Sequence, residues 1–352
     1  MHFDYFIIGQ GLAGSFLSRY LVKEGKKVLV IDESLPYTAS KVASGVINPI
    51  TGRRMVRTWM IDTLMPFAVS AYRELGNELG TQLIRQCNIL DFHPTAQMEL
   101  AFRERLPEES EYLRVPANGQ AWREHFHYPF GIGETDPCWL VNITALLALW
   151  REQLISLNEL LPERFVWEHC TIAPEKVIYK EHSAGKIFFC EGAAGFDNPY
   201  FKRLPYARNK GQALIVDISG LPASHIFKQG MTIVPWKDGY FWVGSSYEWD
   251  FTDLQPSESF RKKTEAHLQQ WLKHSFRVLD HLASERPANM ERRPFVGLHP
   301  QMPSVGIFNG MGTKGCTLAP YFAAELTGHL IHNTAINPHA NVQRFSRILS
   351  KQ

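Results

Sequence analysis

Tyr5-Phe6-Ile7-Ile8-Gly9-Gln10-Gly11-Leu12-Ala13-Gly14, followed further on by Lys27-Val28-Leu29-Val30-Ile31-Asp32, decides the fold. The first apolar run reads as a buried strand that ends in glycines. A helical pattern follows, with Leu12, Phe16, Leu17, Tyr20 and Leu21 on one face and Gly25 closing it. A second buried strand comes next, and Asp32 stands at its end, 18 residues after Gly14. Each part has a physical reason. Gly9 permits the tight turn, Gly11 lets backbone approach a pyrophosphate, and Gly14 lets helix and strand pack closely. The helix start offers unpaired N–H groups to phosphate. Asp32 is placed to accept hydrogen bonds from ribose hydroxyls, with Glu33 as a rival. A lone glycine triplet is weak evidence; strand, turn, helix, strand and acid together specify a dinucleotide-binding unit.

Working outward, 352 residues suit two domains or one large composite one. A net charge of +2 argues against a nucleic-acid surface. The five cysteines (Cys87, Cys138, Cys170, Cys190, Cys316) form no C-x-x-C pair and are odd in number. Neither a zinc site nor a disulfide framework is expected, and no metal-ligand spacing appears among the 14 histidines. Asp4 interrupts the first apolar run, which does not read as a signal peptide, and no stretch approaches the ~20 apolar residues of a membrane span. These features lead to the expectation of a cytoplasmic protein without metal or membrane.

The glycine turn does not choose between NAD and FAD. After Asp32, however, the chain enters Tyr37-Thr38-Ala39-Ser40-Lys41-Val42-Ala43-Ser44-Gly45-Val46-Ile47-Asn48-Pro49, small residues with no helical period, which suit backbone lying against a large flat ligand. Later come Leu140-Val141-Asn142 before a helical run to Leu154, Ile187 to Gly195, Lys210-Gly211-Gln212, Val234-Pro235 with Asp238-Gly239 and Val243-Gly244, Glu285-Arg286-Pro287 with Arg293-Pro294-Phe295-Val296-Gly297, and Asn309 to Gly315. In this order these stretches resemble the FAD-dependent D-amino acid oxidase superfamily, which includes glycine oxidase, sarcosine oxidase and the oxidase module of a bifunctional tRNA-modifying enzyme.

That resemblance implies an α/β protein. A Rossmann-type FAD-binding domain, discontinuous over 1–75, 140–205 and 283–352, joins an α+β substrate domain with an antiparallel sheet over 76–139 and 206–282. Alternation along 206–250 fits that sheet. Val305 to Phe308, a glycine loop and Ala319 to Ile331 read as strand, loop and helix. The FAD-contacting set becomes Gly9, Gly11, Leu12, Ala13 and Gly14; Asp32 and Glu33; Ser40, Ala43, Ser44, Gly45 and Val46; Arg54; Gly192 and Gly195; and Gly310, Met311, Gly312, Thr313 and Gly315. No cysteine matches the attachment point of covalent flavin in sarcosine oxidases, so FAD is expected to be non-covalent.

The implied chemistry is oxidation of the C–N bond of a small amine, an amino acid or N-substituted glycine, with hydride transfer to flavin N5 and oxygen or another acceptor completing the cycle. It calls for a cation on the substrate carboxylate. Arg286, Lys314 and Arg57 are the candidates, since Arg286 and Lys314 lie in the two C-terminal loops and Arg54 and Arg57 match an Arg-x-x-Arg of sarcosine oxidases. The blander readings are a loop-pairing arginine, a solvated glycine-loop lysine and a basic surface turn. Trp236, Tyr240, Trp242 and Tyr247 are pocket-wall or core aromatics. The sequence departs from the family at Thr232, where many amino acid oxidases carry Tyr, and at Trp242, where sarcosine oxidases carry a lysine that promotes reaction with oxygen. A tRNA-modification oxidase and a non-catalytic flavin module are the alternative readings.

Overall fold

The computed structural model describes residues 1–52 and 54–350; Arg53, part of the basic run Arg53-Arg54, lies outside them. The opening run is β1 (His2–Ile8), then α1 (Leu12–Lys23) and β2 (Val28–Ile31). β1 and β2 pair in parallel with Ile8 opposite Ile31. Alternate side chains of β1 enter different cores: Tyr5 and Ile7 join Phe16 and Leu17 of α1, while Phe6 and Ile8 pack with Phe189, Phe201 and Phe345. Burial on both faces is why these strands read as continuous apolar runs.

The parallel core of this sheet runs Leu160–Leu161, β2, β1, His182–Phe189, Val305–Asn309. Strands Lys176–Tyr179, Cys170–Ala173 and Phe295–Leu298 extend it in antiparallel fashion. The helices after α1 are α2 (Ala39–Val42), α3 (Ile61–Glu78), α4 (Ala96–Arg105), α5 (Ile143–Ser156), α6 (Glu258–Trp271), α7 (Gly315–His332) and α8 (Ser346–Leu349). The small-residue segment contains one helical turn, α2, where Lys41 and Val42 N–H both donate to Thr38 O.

Helix α7 begins four residues earlier than the sequence reading placed it, because Pro320 sits inside it. Pro320 has no N–H for Cys316 O, and the Tyr72 hydroxyl of α3 donates to that carbonyl at 3.0 Å instead. A second sheet has the order Phe276–Arg286, Asn209–Ile218, Phe241–Gly244, Met231–Pro235, Ile226–Gln229, Ile89–Phe92, Ile132–Thr135, Leu113–Arg114. It is antiparallel except where Ile226–Gln229 meets Ile89–Phe92. The α/β plus antiparallel-sheet architecture is the one expected.

Three of the expected joins fall inside secondary-structure elements. Position 75/76 is inside α3, 139/140 inside strand Trp139–Val141, and 282/283 inside Phe276–Arg286.

Candidate active site

Ile8, Ile31, Phe189 and Ile307 lie in register across adjacent parallel strands. The segments that follow them therefore gather at one sheet edge: the glycine turn, Asp32, residues 190–195 and residues 309–315. The carboxyl edge of an open α/β sheet is where such folds bind ligand.

At that edge Gly9 has φ +96°, a conformation costly for any residue with a Cβ. A Cβ on Gly14 would overlap Gly9 O, so no larger residue fits there. Ser40 Oγ accepts the Leu12 N–H at 3.2 Å, fastening the small-residue segment over the turn. Asp32 accepts Gln10 N–H at 2.9 Å, Ser34 N–H at 2.8 Å and an Arg151 guanidinium N–H at 2.8 Å. That leaves about one acceptor position of its four. Glu33 is exposed beside it. Arg151, from α5, is a site residue that no local signal in the sequence marked.

Helix capping distinguishes the two helix starts at this edge from those of α4, α5 and α6; α3 also lacks a side-chain cap but carries Asp62 in its first turn. α4, α5 and α6 are capped by the side chains of Thr95, Asn142 and Ser257. α1 and α7 have no side-chain cap and no acid in their first turns. Their starts are adjacent, since a Cβ on Gly315 would lie 3.5 Å from Leu12 Cδ1. Among the described residues, Ala13, Gly14 and Gly315 N–H have no backbone or side-chain acceptor. Both helices thus present open donors and the positive ends of their dipoles at the same place.

The other loops are tied to each other. Asn309 Nδ2 donates to Gly192 O at 2.8 Å, its Oδ1 accepts Gly310 N–H, and Gly195 packs against the same amide. Asn289 Nδ2 donates to Gly310 O at 2.9 Å, and Gly312 N–H donates to Pro287 O at 3.0 Å. Met311 is buried and Thr313 exposed. Glu191, unremarked in the sequence, accepts from Asn198 Nδ2 at 2.8 Å, and burial pushes its carboxyl up to about 7. Ala43, Ser44, Val141, Pro235, Trp236 and Lys237 line a cavity of about 190 Å³ between the small-residue segment and the hairpin tip. Gly45 and Val46 continue that segment into strand Val46–Ile47.

The three candidate cations differ. Lys314 is half-buried, caps the start of α7, and has no ion-pair or hydrogen-bond partner for its Nζ among the described residues; burial pushes its ammonium down to about 8. Arg286 donates to Asn209 Oδ1, to Lys210 O at 3.3 Å and to Ser246 O at 3.0 Å, and the Tyr247 ring lies 4.5 Å from its Cζ. Arg57 is clasped by Glu109 at 2.7 Å, Asp62 at 3.1 Å and Glu111 at 3.2 Å, and Arg54 is exposed. Arg286 and Lys314 belong to contiguous loops; Arg57 belongs to a separate carboxylate cluster. Trp242 is core, with Nε1 donating to Val42 O at 2.9 Å, and Tyr247 is exposed.

Close-approach glycines, two uncapped helix starts and one acid at the end of β2 fit FAD, whose pyrophosphate needs open N–H groups and whose ribose needs an acceptor. The comparisons agree. The family model for FAD dependent oxidoreductases matches residues 4–329, and the chain belongs to that family. It is an FAD-dependent oxidoreductase. Among solved structures, iminodiacetate oxidase from Chelativorans sp. is 20% identical, with a TM-score of 0.77 over 96% of this chain and 98% of that one. Glycine oxidase from Geobacillus kaustophilus is 15% identical, with a TM-score of 0.78 over 96% and 98%. L-proline dehydrogenase from P. horikoshii is 14% identical, with a TM-score of 0.72 over 98% of each chain. Similarity at these identities establishes the fold.

Proposed function

We propose that this protein oxidises the C–N bond of a small amine, an amino acid or an N-substituted glycine, with non-covalently held FAD. The observation that carries the reading is Lys314, a half-buried ammonium without an anionic partner among the described residues, at the open start of α7. A buried unpaired cation is costly unless a ligand supplies its counter-charge. A carboxylate next to the reacting amine does so. Glycine oxidase and iminodiacetate oxidase, named above, act on substrates of that kind by their names.

When bound, FAD accepts the two electrons that the substrate loses. The substrate's C–N single bond becomes an imine as two electrons and two protons leave, and water then hydrolyses the imine. Gly11, Ala13, Gly14 and Ser40 are assigned to the pyrophosphate, and Asp32 to the adenosine ribose. Thr313, Gly315 and the α7 start are assigned to the electron-rich edge of the ring system. Lys314 takes the substrate carboxylate. Arg286 keeps its Nε–H and one Nη2–H for it, its other three donors being used within the protein. Arg57 braces residues 56–62 against 109–112. FAD is assigned to 1–75, 140–205 and 283–352 and substrate to 76–139 and 206–282, with the joins moved to element ends. Trp242, in place of the oxygen-promoting lysine of sarcosine oxidases, favours an acceptor other than oxygen.

The test is anaerobic. FAD-loaded protein is mixed with amino acids and N-methylated glycines while flavin absorbance is followed. Bleaching by at least one member is expected, with slow recolouring in air. Loaded protein that no member bleaches overturns the reading.

A further inference from the structure

Residues 245–257, between strand Phe241–Gly244 and α6, carry two aromatic side chains that stay exposed: Tyr247 at 58% and Trp249 at 63%. The segment is not loose. Buried Gln212 holds it at both ends: its Nε2 donates to Glu248 Oε1 at 2.7 Å and to Ser257 Oγ at 2.9 Å, and its Oε1 accepts Ser257 N–H at 2.7 Å. Gln212 N–H donates to Ser246 Oγ at 2.9 Å, and buried Lys210 Nζ donates to Gln255 O at 2.6 Å. Lys210 and Glu248 also exchange both backbone hydrogen bonds. Large rings displayed on a fastened segment are unsatisfied contact surface.

Their place connects them to the proposed site. The Tyr247 ring lies on Arg286, whose guanidinium fills the space over Gly211 that a Cβ would occupy. Arg286 also donates to Ser246 O. The next residue, Pro287, accepts from Gly312, two residues before Lys314. Phe251, further along the segment, lies under Arg208 with 5.8 Å from Cζ to ring centre, and Arg208 pairs with buried Glu285. Tyr247 therefore stands on the Arg286 side of the Lys314 loop, with exposed Trp249 two residues further along the same fastened segment.

Resting on the amine-oxidation reading, we infer that Tyr247 and Trp249 are specificity-determining residues: they recognise the part of the substrate beyond its amine, and they select a planar, apolar substituent there. The small members of the substrate class then turn over, and an aromatic N-substituted glycine is held better. Stacking and apolar contact on two rings supply the preference.

N-methylglycine and N-benzylglycine are compared on FAD-loaded protein by anaerobic flavin bleaching. The benzyl compound is expected to show the lower KM. Tyr247→Ala and Trp249→Ala should raise that KM about tenfold more than they raise the KM for N-methylglycine, and leave bound FAD in place. Tyr247→Phe should retain the preference, since the ring and not the hydroxyl makes the contact. No benzyl preference in the native protein, or equal losses for both compounds, overturns the inference. Two amides that cannot be oxidised, N-benzoylglycine and N-acetylglycine, keep this separate from the underlying reading. Their binding is followed by the shift of the flavin spectrum. If neither amine bleaches the flavin but Tyr247→Ala still loses N-benzoylglycine selectively, amine oxidation fails and the aromatic wall stands. If the two amides bind alike, the wall fails on its own.

Discussion

Lys314 shows how one side chain is read differently once its surroundings are known. Flanked by glycines, it looks like a solvated turn lysine; in the structure it is half-buried, without a partner among the described residues, and pushed down to about 8. If it binds a carboxylate as the ammonium, affinity for N-benzoylglycine should be flat below that value and fall about tenfold per pH unit above it. Lys314→Met should remove the pH dependence and weaken binding at neutral pH by about 2 kcal/mol or more, roughly 30-fold. Lys314→Arg should keep the affinity and lose the step near 8. Titration of the flavin spectrum from pH 6 to 10 reads all three. Glu191 makes a second prediction at this scale. Its folded carboxyl is raised to about 7 from 4.5, so the folded state binds a proton that the unfolded chain has released between those values. Stability is then fully present below about 4.5 and is lost as pH rises through 7. The shift corresponds to at most about 3 kcal/mol. Urea unfolding of the apoprotein at pH 5 and pH 8 should show Glu191→Gln gaining on the native protein by that order at the higher pH. An unchanged gap would remove Glu191 from the account.

At the scale of elements, the decisive pieces are two helix starts and the backbone that reaches them. α1 and α7 forgo the side-chain caps that α4, α5 and α6 have, and that omission is what leaves donors for a ligand. Gly14→Ala should place a Cβ into Gly9 O. The turn must then move, and the variant is expected to purify without FAD and to unfold more easily by about 1–3 kcal/mol. Absorbance near the flavin maximum together with urea unfolding checks both parts. The other end of the site depends on α3. Tyr72→Phe leaves the buried Cys316 carbonyl without the donor that Pro320 lacks, at a cost of about 1–3 kcal/mol. The start of α7 should loosen with it, measured as faster amide exchange in residues 315–319 than in α3.

At the scale of the molecule, the proposed FAD site draws on segments distant in sequence, from the glycine turn to residues 309–315. Binding should therefore stabilise the whole fold and not one lobe. Free FAD at 100 times its Kd adds about 2.7 kcal/mol to the native state. Calorimetry should show a single transition that rises with FAD concentration. Two transitions, only one of which responds, would mean that the two sheets unfold separately.

Much of this was legible in the chain. The pattern from Tyr5 to Asp32 determined the first βαβ unit, because each glycine there answers a local backbone demand and the apolar periods are local too. The alternation along 206–250 likewise set the antiparallel sheet, and the loop at 309–315 was marked by its glycines. What the sequence did not carry was pairing across distance. Arg57 and Lys314 are equally basic on paper, yet among the described residues one meets three carboxylates and the other none. Arg151 on Asp32, Tyr72 on Cys316 and Gln212 beneath residues 245–257 are single side chains from remote segments. The start of α7 was missed for the same reason, since Pro320 is a helix breaker until a hydroxyl from another helix replaces its N–H. Local chemistry fixed which elements form and where the dinucleotide turn lies. Only tertiary packing decided which charges are neutralised and which remain for a ligand, because a side chain's free energy depends on its neighbours in space.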